Sequence, residues 1–192
     1  MINPGSLVLP TKLPQIGEKT HKLGFAMSCE HNTGVLLRAL ATSKRTARIL
    51  ELGTGTGVGT AWLLDGMDAE SRLITVDVNP EYQQVARETF SNDKRLEIVT
   101  EDAASFLQRQ PANSFDLVFA DAMPGKFEYL DEALALVRRG GFYVVDDLLP
   151  QENWPDGHAP KVERLIEKLS SLAEFRAVGL SWSSGIMILA RV

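Results

Sequence analysis

The sequence predicts an α/β fold, a doubly wound and mostly parallel seven-stranded sheet closed at one edge by a C-terminal antiparallel hairpin. Three observations carry this. Short apolar runs alternate with helical segments over residues 48–147, a glycine-rich turn follows the first run, and the chain ends in two runs joined by "SSG". A helix between successive strands makes each connection a crossover. Right-handed crossovers build a parallel sheet covered on both faces.

The opening segment, residues 1–24, holds Pro4, Pro10 and Pro14 and reads as irregular chain draped over the surface or a neighbouring subunit. Residues 25–192 read as one domain. Val35, Leu36, Ala39 and Leu40 recur at helical spacing, with Asn32 or Thr33 available to cap the first turn. "RILEL" (48–52) is the first strand, "GTGTGVGT" (53–60) turns it, and "TAWLLDGM" follows as a helix. "RLITVDV" (72–78) is the second strand. Pro80 opens the next helix, with Tyr82, Val85, Ala86, Thr89 and Phe90 on one face. "RLEIVT" (95–100) and "FDLVFA" (115–120) are strands flanking a helix over 102–109. Phe127, Leu130, Leu134 and Val137 mark a helix stopped by Gly140 and Gly141, and "FYVVDD" (142–147) is the fifth strand. A helix carrying Val162, Leu165, Ile166, Leu169 and Leu172 leads to the hairpin "FRAVGLSW", "SSG", "IMILARV".

The chain's 192 residues suit one such domain, and 44% hydrophobic with 23% charged residues is ordinary for a soluble protein. A net charge of -5 leaves no basic footprint for nucleic acid. The single cysteine, Cys29, excludes an intrachain disulfide and a thiolate zinc cluster. No apolar run reaches membrane-spanning length and the start lacks a secretory pattern, so the expectation is a cytoplasmic protein without membrane or nucleic-acid partners.

In open parallel sheets, ligands bind outside the carboxyl ends of the strands, near the first strand-to-helix turn. Gly53, Gly55, Gly57 and Gly59 occupy that turn. They allow tight bending and close ligand approach, while the free N–H groups of the next helix attract an anionic group. The dinucleotide pattern G-x-G-x-x-G fails in both registers, since its third glycine falls on Val58 or Thr60. Asp77, ending the second strand, suits ribose hydroxyls of either a nicotinamide or an S-adenosyl ligand, and it also lies near enough to a helix start to serve in capping.

"LELGTG" with Glu51, Asp77, "EDA" with Asp102, and the terminal hairpin together resemble the class I S-adenosylmethionine-dependent methyltransferases, from about residue 25 to the end. The resemblance implies the Rossmann-like methyltransferase sheet, with an antiparallel strand inserted beside the fifth. It implies that Gly53, Thr54, Gly55 and Gly57 hold the methionine end of S-adenosylmethionine and that Asp77 binds the ribose. Asp102 and Ala103 would lie at the adenine, Glu51 would support the loop through backbone N–H groups or the ligand's amino end, and Met27 would touch the cofactor. Asp102 has a second reading as the cap of the helix that follows it.

Asp121 lies just past the fourth strand, and Asp146 and Asp147 follow the apolar part of the fifth. Neighbouring strands are about 4.8 Å apart, so these acids converge above the sheet. Three carboxylates there need protons or a cation, and a hard divalent ion such as Mg²⁺ accepts oxygen ligands of this kind. The arrangement resembles the catechol and caffeoyl-coenzyme A O-methyltransferase group, which implies a metal on Asp121, Asp146 and Asp147, with Asp121 also at the cofactor and in catalysis. Asp147 stands where that group has Asn. Lys126 in "DAMPGK" stands two residues beyond the group's Asp-x-x-Lys. Lys126 is a candidate base, or else a solvated lysine at a helix start.

"PQENWPDGHAP" (150–160) reads as a cover over the site, with Trp154 stacking on an aromatic acceptor or anchoring the loop, and His158 at the surface or capping a helix. Cys29 and His31 lie near the cofactor entrance without a partner visible in sequence. The function expected is an S-adenosylmethionine-dependent O-methyltransferase acting on a small aromatic hydroxylated acceptor, aided by Mg²⁺, with a homodimer implied by the resemblance. Two alternatives stay open: a nicotinamide-dependent oxidoreductase, and a non-catalytic S-adenosyl-ligand-binding protein.

Overall fold

The computed structural model describes residues 8–151 and 154–192. Seven strands form one sheet: β1 (Arg48–Leu52), β2 (Arg72–Asp77), β3 (Leu96–Thr100), β4 (Phe115–Ala120), β5 (Val137–Val145), β6 (Phe175–Leu180) and β7 (Ile186–Arg191). Their order is β3-β2-β1-β4-β5-β7-β6. The first five are parallel, and β7 runs antiparallel between β5 and β6. Strand order reverses between β1 and β4, which places the ligand crevice of a doubly wound sheet above those two carboxyl ends.

Alternation along the central strands explains the two cores. Ile49, Leu117, Phe119 and Val144 face helices α2 (His31–Thr42) and α3 (Val58–Gly66) and pack with Leu37 and the fully buried Trp62. Leu50, Leu52, Val118, Tyr143 and Val145 face the other side, where α5 (Ala103–Arg109), α6 (Leu130–Ala135) and α7 (Ala159–Ser171) contribute Phe106, Leu134 and Leu165. Strands buried on both faces read as continuous apolar runs, as "RILEL" does. Helix α4 (Pro80–Thr89) starts at Asn79, whose side chain accepts the N–H groups of Glu81 and Tyr82. No helix among the described residues is long and apolar enough to cross a membrane.

Two elements differ from expectation. The segment read as irregular carries a ten-residue helix, α1 (Leu13–Lys22), which buries Leu13, Ile16 and Thr20. Pro14 falls in its first turn, where a missing N–H costs no helical hydrogen bond. Lys19 pairs with Glu88 of α4 at 2.6 Å, tying α1 to the domain. Pro4 lies outside the described residues. The second difference concerns Gly140 and Gly141, which do not end a helix. They lie inside β5, where the register with β4 slips between Phe115↔Val137 and Leu117↔Phe142, and Gly140 takes φ +74°. Helix α6 is correspondingly short, because Val137 is already paired in the sheet. Asp146 and Asp147 stand beyond the end of β5, at Val145.

Candidate active site above the carboxyl ends of the strands

The glycine turn after β1 bounds a cleft of about 380 Å³, lined among others by Met27, Glu51, Gly53, Thr54, Gly55, Asp77 and Asp121. Gly53 adopts φ +102°, and a Cβ there would stand 2.8 Å from the carbonyl oxygen of Asp121. Only glycine lets the ends of β1 and β4 approach this closely. The turn is held from within. Gly53 N–H donates to Val76 O at 2.9 Å, Gly57 N–H to Thr54 O at 2.9 Å and Gly55 N–H to Asp77 Oδ2 at 2.8 Å. Three amides of the loop itself are therefore already used within the turn.

Asp77 is not a helix cap, since Asn79 performs that role. Its carboxylate also accepts Asn79 N–H at 2.9 Å and is oriented along the cleft wall. Gly57 starts α3 with φ +95° and stands outside the cleft lining, as do Asp102 and Ala103. Asp102 caps α5, accepting Ser105 N–H at 3.2 Å. The aromatic part of the wall is Phe25 and Tyr82, with ring centroids 4.5 Å apart. Neither was singled out from sequence as a site residue, because an isolated aromatic carries no spacing signal.

Glu51 lies beneath the turn, 1% exposed. It accepts the hydroxyls of Thr60 at 2.5 Å and Thr75 at 2.6 Å, rather than backbone N–H groups. Thr75 bonds Thr54 at 2.7 Å, and Gln83 donates to Thr54 at 2.9 Å, so a buried polar chain links β1, β2 and α4 below the cleft. Burial pushes the Glu51 carboxyl up to about 7, against the opposing effect of the two threonine hydroxyls.

A second cleft of about 330 Å³ adjoins the first and shares with it Met27, Ser28, Cys29, Asp121, Ala122 and Met123. Met27, 72% exposed, overhangs both. Ser28 Oγ is buried and has no hydrogen-bond partner among the described residues. The far wall is aromatic: His158 meets Trp154 edge-on at 4.8 Å and Phe127 at 5.1 Å between centroids. His158 occupies the N-cap position of α7 without a side-chain capping bond. His31 lies elsewhere, edge-on to Trp62 at 6.2 Å.

The three acids do not form a symmetrical set. Asp146 is 2% exposed, and its Oδ1 accepts Ser184 Oγ at 2.5 Å and Asp147 N–H at 2.8 Å. Asp147 has φ +63° and a side chain 49% exposed. Among the described residues, the potential ligand atoms within 4.8 Å of one another belong to Cys29, Asp121 and Asp146. Asp147 is outside that group. Lys126 is buried, not solvated: it is 7% exposed, and its Nζ donates to the Asp146 carbonyl at 3.2 Å. The same nitrogen lies 4.0 Å from Asp121 Oδ1 and 3.9 Å from Asp147 Oδ2. Burial raises the carboxyls of Asp121 and Asp146 and the thiol of Cys29, and the neighbouring acids add to each rise. A hard divalent ion does not fit this set, because the Lys126 ammonium already stands beside Asp121, at 4.0 Å, and the third nearby donor is a thiol.

A cleft beside a glycine turn, at the switch point of a sheet in which β7 lies antiparallel between β5 and β6, defines the α/β methyltransferase fold. The O-methyltransferase family model matches residues 6–191, and the chain belongs to that family. A Mycolicibacterium vanbaalenii protein, provisionally named an O-methyltransferase, is 38% identical over 117 residues, 58% of this chain and 52% of the relative. The chain thus spans about half the length of the curated relatives it matches. A Klebsiella pneumoniae protein, provisionally named in the same way, has TM-score 0.82 at 26% identity, covering 97% of this chain and 92% of that one. The O-methyltransferase TomG of Streptomyces achromogenes, involved in tomaymycin synthesis and solved with SAM, has TM-score 0.83 at 23% identity, covering 98% and 93%. The last likeness concerns the fold.

Proposed function

We propose that the protein is an S-adenosylmethionine-dependent O-methyltransferase acting on a small aromatic hydroxylated acceptor. The carrying observation is a pair of contiguous clefts that meet at Asp121, the first walled by Glu51, Asp77 and Asp121 with no basic residue among its described lining. A pyrophosphate would find no cation there and three loop amides already used. A ligand with sulfonium and ammonium charges and two ribose hydroxyls suits the same wall. Membership of the O-methyltransferase family and the SAM bound in TomG point the same way.

When bound, S-adenosylmethionine supplies an activated methyl: the acceptor oxygen forms the new C–O bond, the C–S electron pair returns to sulfur, and the hydroxyl proton is released. Asp77 holds the ribose, and the Glu51 chain keeps the turn in shape. The partnerless Ser28 hydroxyl has a donor and two lone pairs for a ligand at the shared wall. Trp154, His158 and Phe127 give the acceptor a flat apolar seat and exclude water from the transfer. Asp121, at the junction and with its carboxyl raised by burial, takes the acceptor proton. Mg²⁺ assistance, expected from the acid pattern, has no step in this reading because of where Lys126 stands.

Calorimetric titration with S-adenosylhomocysteine, followed by transfer of labelled methyl to a panel of phenols, tests the proposal. Binding and transfer are expected. Protection from thermal unfolding by NAD but not by S-adenosylmethionine would reverse the choice in favour of an oxidoreductase. Binding without transfer to any hydroxyl, amine or carboxyl would leave a non-catalytic binder.

A further inference from the structure

We infer that the Lys126 ammonium is the resident cation of the acidic cluster and stands in the place of a divalent ion, so that a protein N–H, not a metal, binds the acceptor's oxygen. The first half of this depends only on the chain; the second rests on the O-methyltransferase reading.

The turn after β4 aims this lysine inward. Gly125 takes φ +84°, its N–H donates to Glu128 O at 2.7 Å, and its carbonyl accepts the hydroxyl of the buried Tyr143. Lys126 N–H and Phe127 N–H both donate to Met123 O, at 3.2 and 3.0 Å. From this fastened turn the Lys126 side chain runs inward, 7% exposed, to bring its Nζ beside the acids. A buried ammonium is costly to desolvate unless anionic groups surround it. Here Asp121 and Asp147 flank it at 4.0 and 3.9 Å, and the Asp146 carbonyl accepts from it at 3.2 Å.

Magnesium requires near-octahedral oxygen ligands at about 2.0–2.1 Å. An ion bridging these acids would lie against the ammonium, and one oxygen of Asp146 already accepts from Ser184 and from Asp147 N–H. The ammonium itself retains binding capacity. Of its three N–H groups, one finds an acceptor within hydrogen-bond distance among the described residues, and both carboxylates stand beyond that distance. Lys126 lines the aromatic cleft. Its remaining donors suit one acceptor oxygen. Chelation by a metal favours two adjacent hydroxyls, whereas an ammonium needs one, so the acceptor class extends to phenols with a single hydroxyl.

The test titrates the full chain with Mn²⁺, following free ion by electron paramagnetic resonance, for wild type, Lys126→Arg and Lys126→Met. Wild type and the arginine variant should take up no ion at millimolar Mn²⁺. The methionine variant, with its acids uncompensated, should bind one ion per chain and melt at higher temperature when Mn²⁺ is present. One ion per wild-type chain, lost in Asp146→Asn, would overturn the inference, and so would a folded Lys126→Met protein that takes none. If the methionine variant does not fold, the wild-type and arginine titrations decide. In a second arm, transfer to a one-hydroxyl phenol should survive EDTA; loss restored by Mg²⁺ overturns the inference. Transfer to no acceptor at all would sink the proposed function and leave the ion titration standing.

Discussion

Asp77 accepts the Gly55 backbone N–H at 2.8 Å, so the last residue of β2 holds the glycine turn that follows β1. One carboxylate thereby shapes the cleft and contributes its wall. Asp77→Ala removes both, while Asp77→Asn keeps an acceptor for Gly55. A hydrogen bond to a charged group contributes about 1.5–3 kcal/mol, so alanine should weaken S-adenosylhomocysteine binding by roughly tenfold to a hundredfold. Asparagine should lose less. Calorimetric titration of both variants checks the order; equal affinity for wild type and alanine would remove Asp77 from the site.

Glu51 gives the protein a pH-dependent stability of unusual sign for a carboxylate. Its folded pKa of about 7 lies above the ordinary 4.5, so the folded state binds the proton more tightly. That contribution is complete below 4.5 and disappears as pH rises through 7. It amounts to about 3 kcal/mol. Glu51→Gln should flatten the fall in melting temperature between about pH 5 and about pH 8. Parallel wild-type and variant curves would show that Glu51 is not the group responsible.

Gly53 and Gly140 separate backbone strain from close approach. Both have positive φ, +102° and +74°, but a Cβ on Gly53 meets Asp121 O at 2.8 Å and one on Gly140 meets nothing within 4 Å. Gly140→Ala should cost about 1 kcal/mol and Gly53→Ala at least about 2 kcal/mol. The latter corresponds to a melting temperature lower by roughly 4–8 °C. Gly53→Ala should also weaken cofactor binding, because relief of the contact displaces Asp121. Equal losses at the two positions would contradict the close approach.

Trp154 should matter to the acceptor and not to the cofactor. Its contact with His158 at 4.8 Å builds the far wall of the second cleft, and it does not line the first. Trp154→Ala should raise KM for an aromatic acceptor by roughly threefold to tenfold. Affinity for S-adenosylhomocysteine should stay unchanged. A variant that loses the cofactor instead would assign Trp154 to anchoring the loop.

Most of the sheet was legible because its signals are local. Apolar runs, their alternation with helices, the glycine turn and the antiparallel end all follow from residue spacing, and the structure repeats them. The misses came where one residue type supports two outcomes. Pro14 reads as a breaker and serves as a helix starter; Gly140 and Gly141 read as a helix stop and lie at a slip in β5. Asp102 and Asp77 were each open to a capping role, and only the contacts decided it: Asp102 caps α5 through Ser105 N–H, while Asn79 caps α4 and Asp77 holds Gly55 instead.

The sequence by itself determined that Asp77, Asp121 and Asp146 gather above one end of the sheet, since residues at or just past the carboxyl ends of parallel strands lie at that end whatever surrounds them. Only the tertiary structure decided what those acids meet. Lys126 is turned inward by a turn that Tyr143 fastens through Gly125, Ser184 reaches Asp146 across 38 residues, and Cys29 joins from a segment before the sheet begins. Asp147 is turned outward by its own left-handed backbone. Side-chain directions in turns depend on such distant contacts and on φ. Neither quantity has a period along the chain.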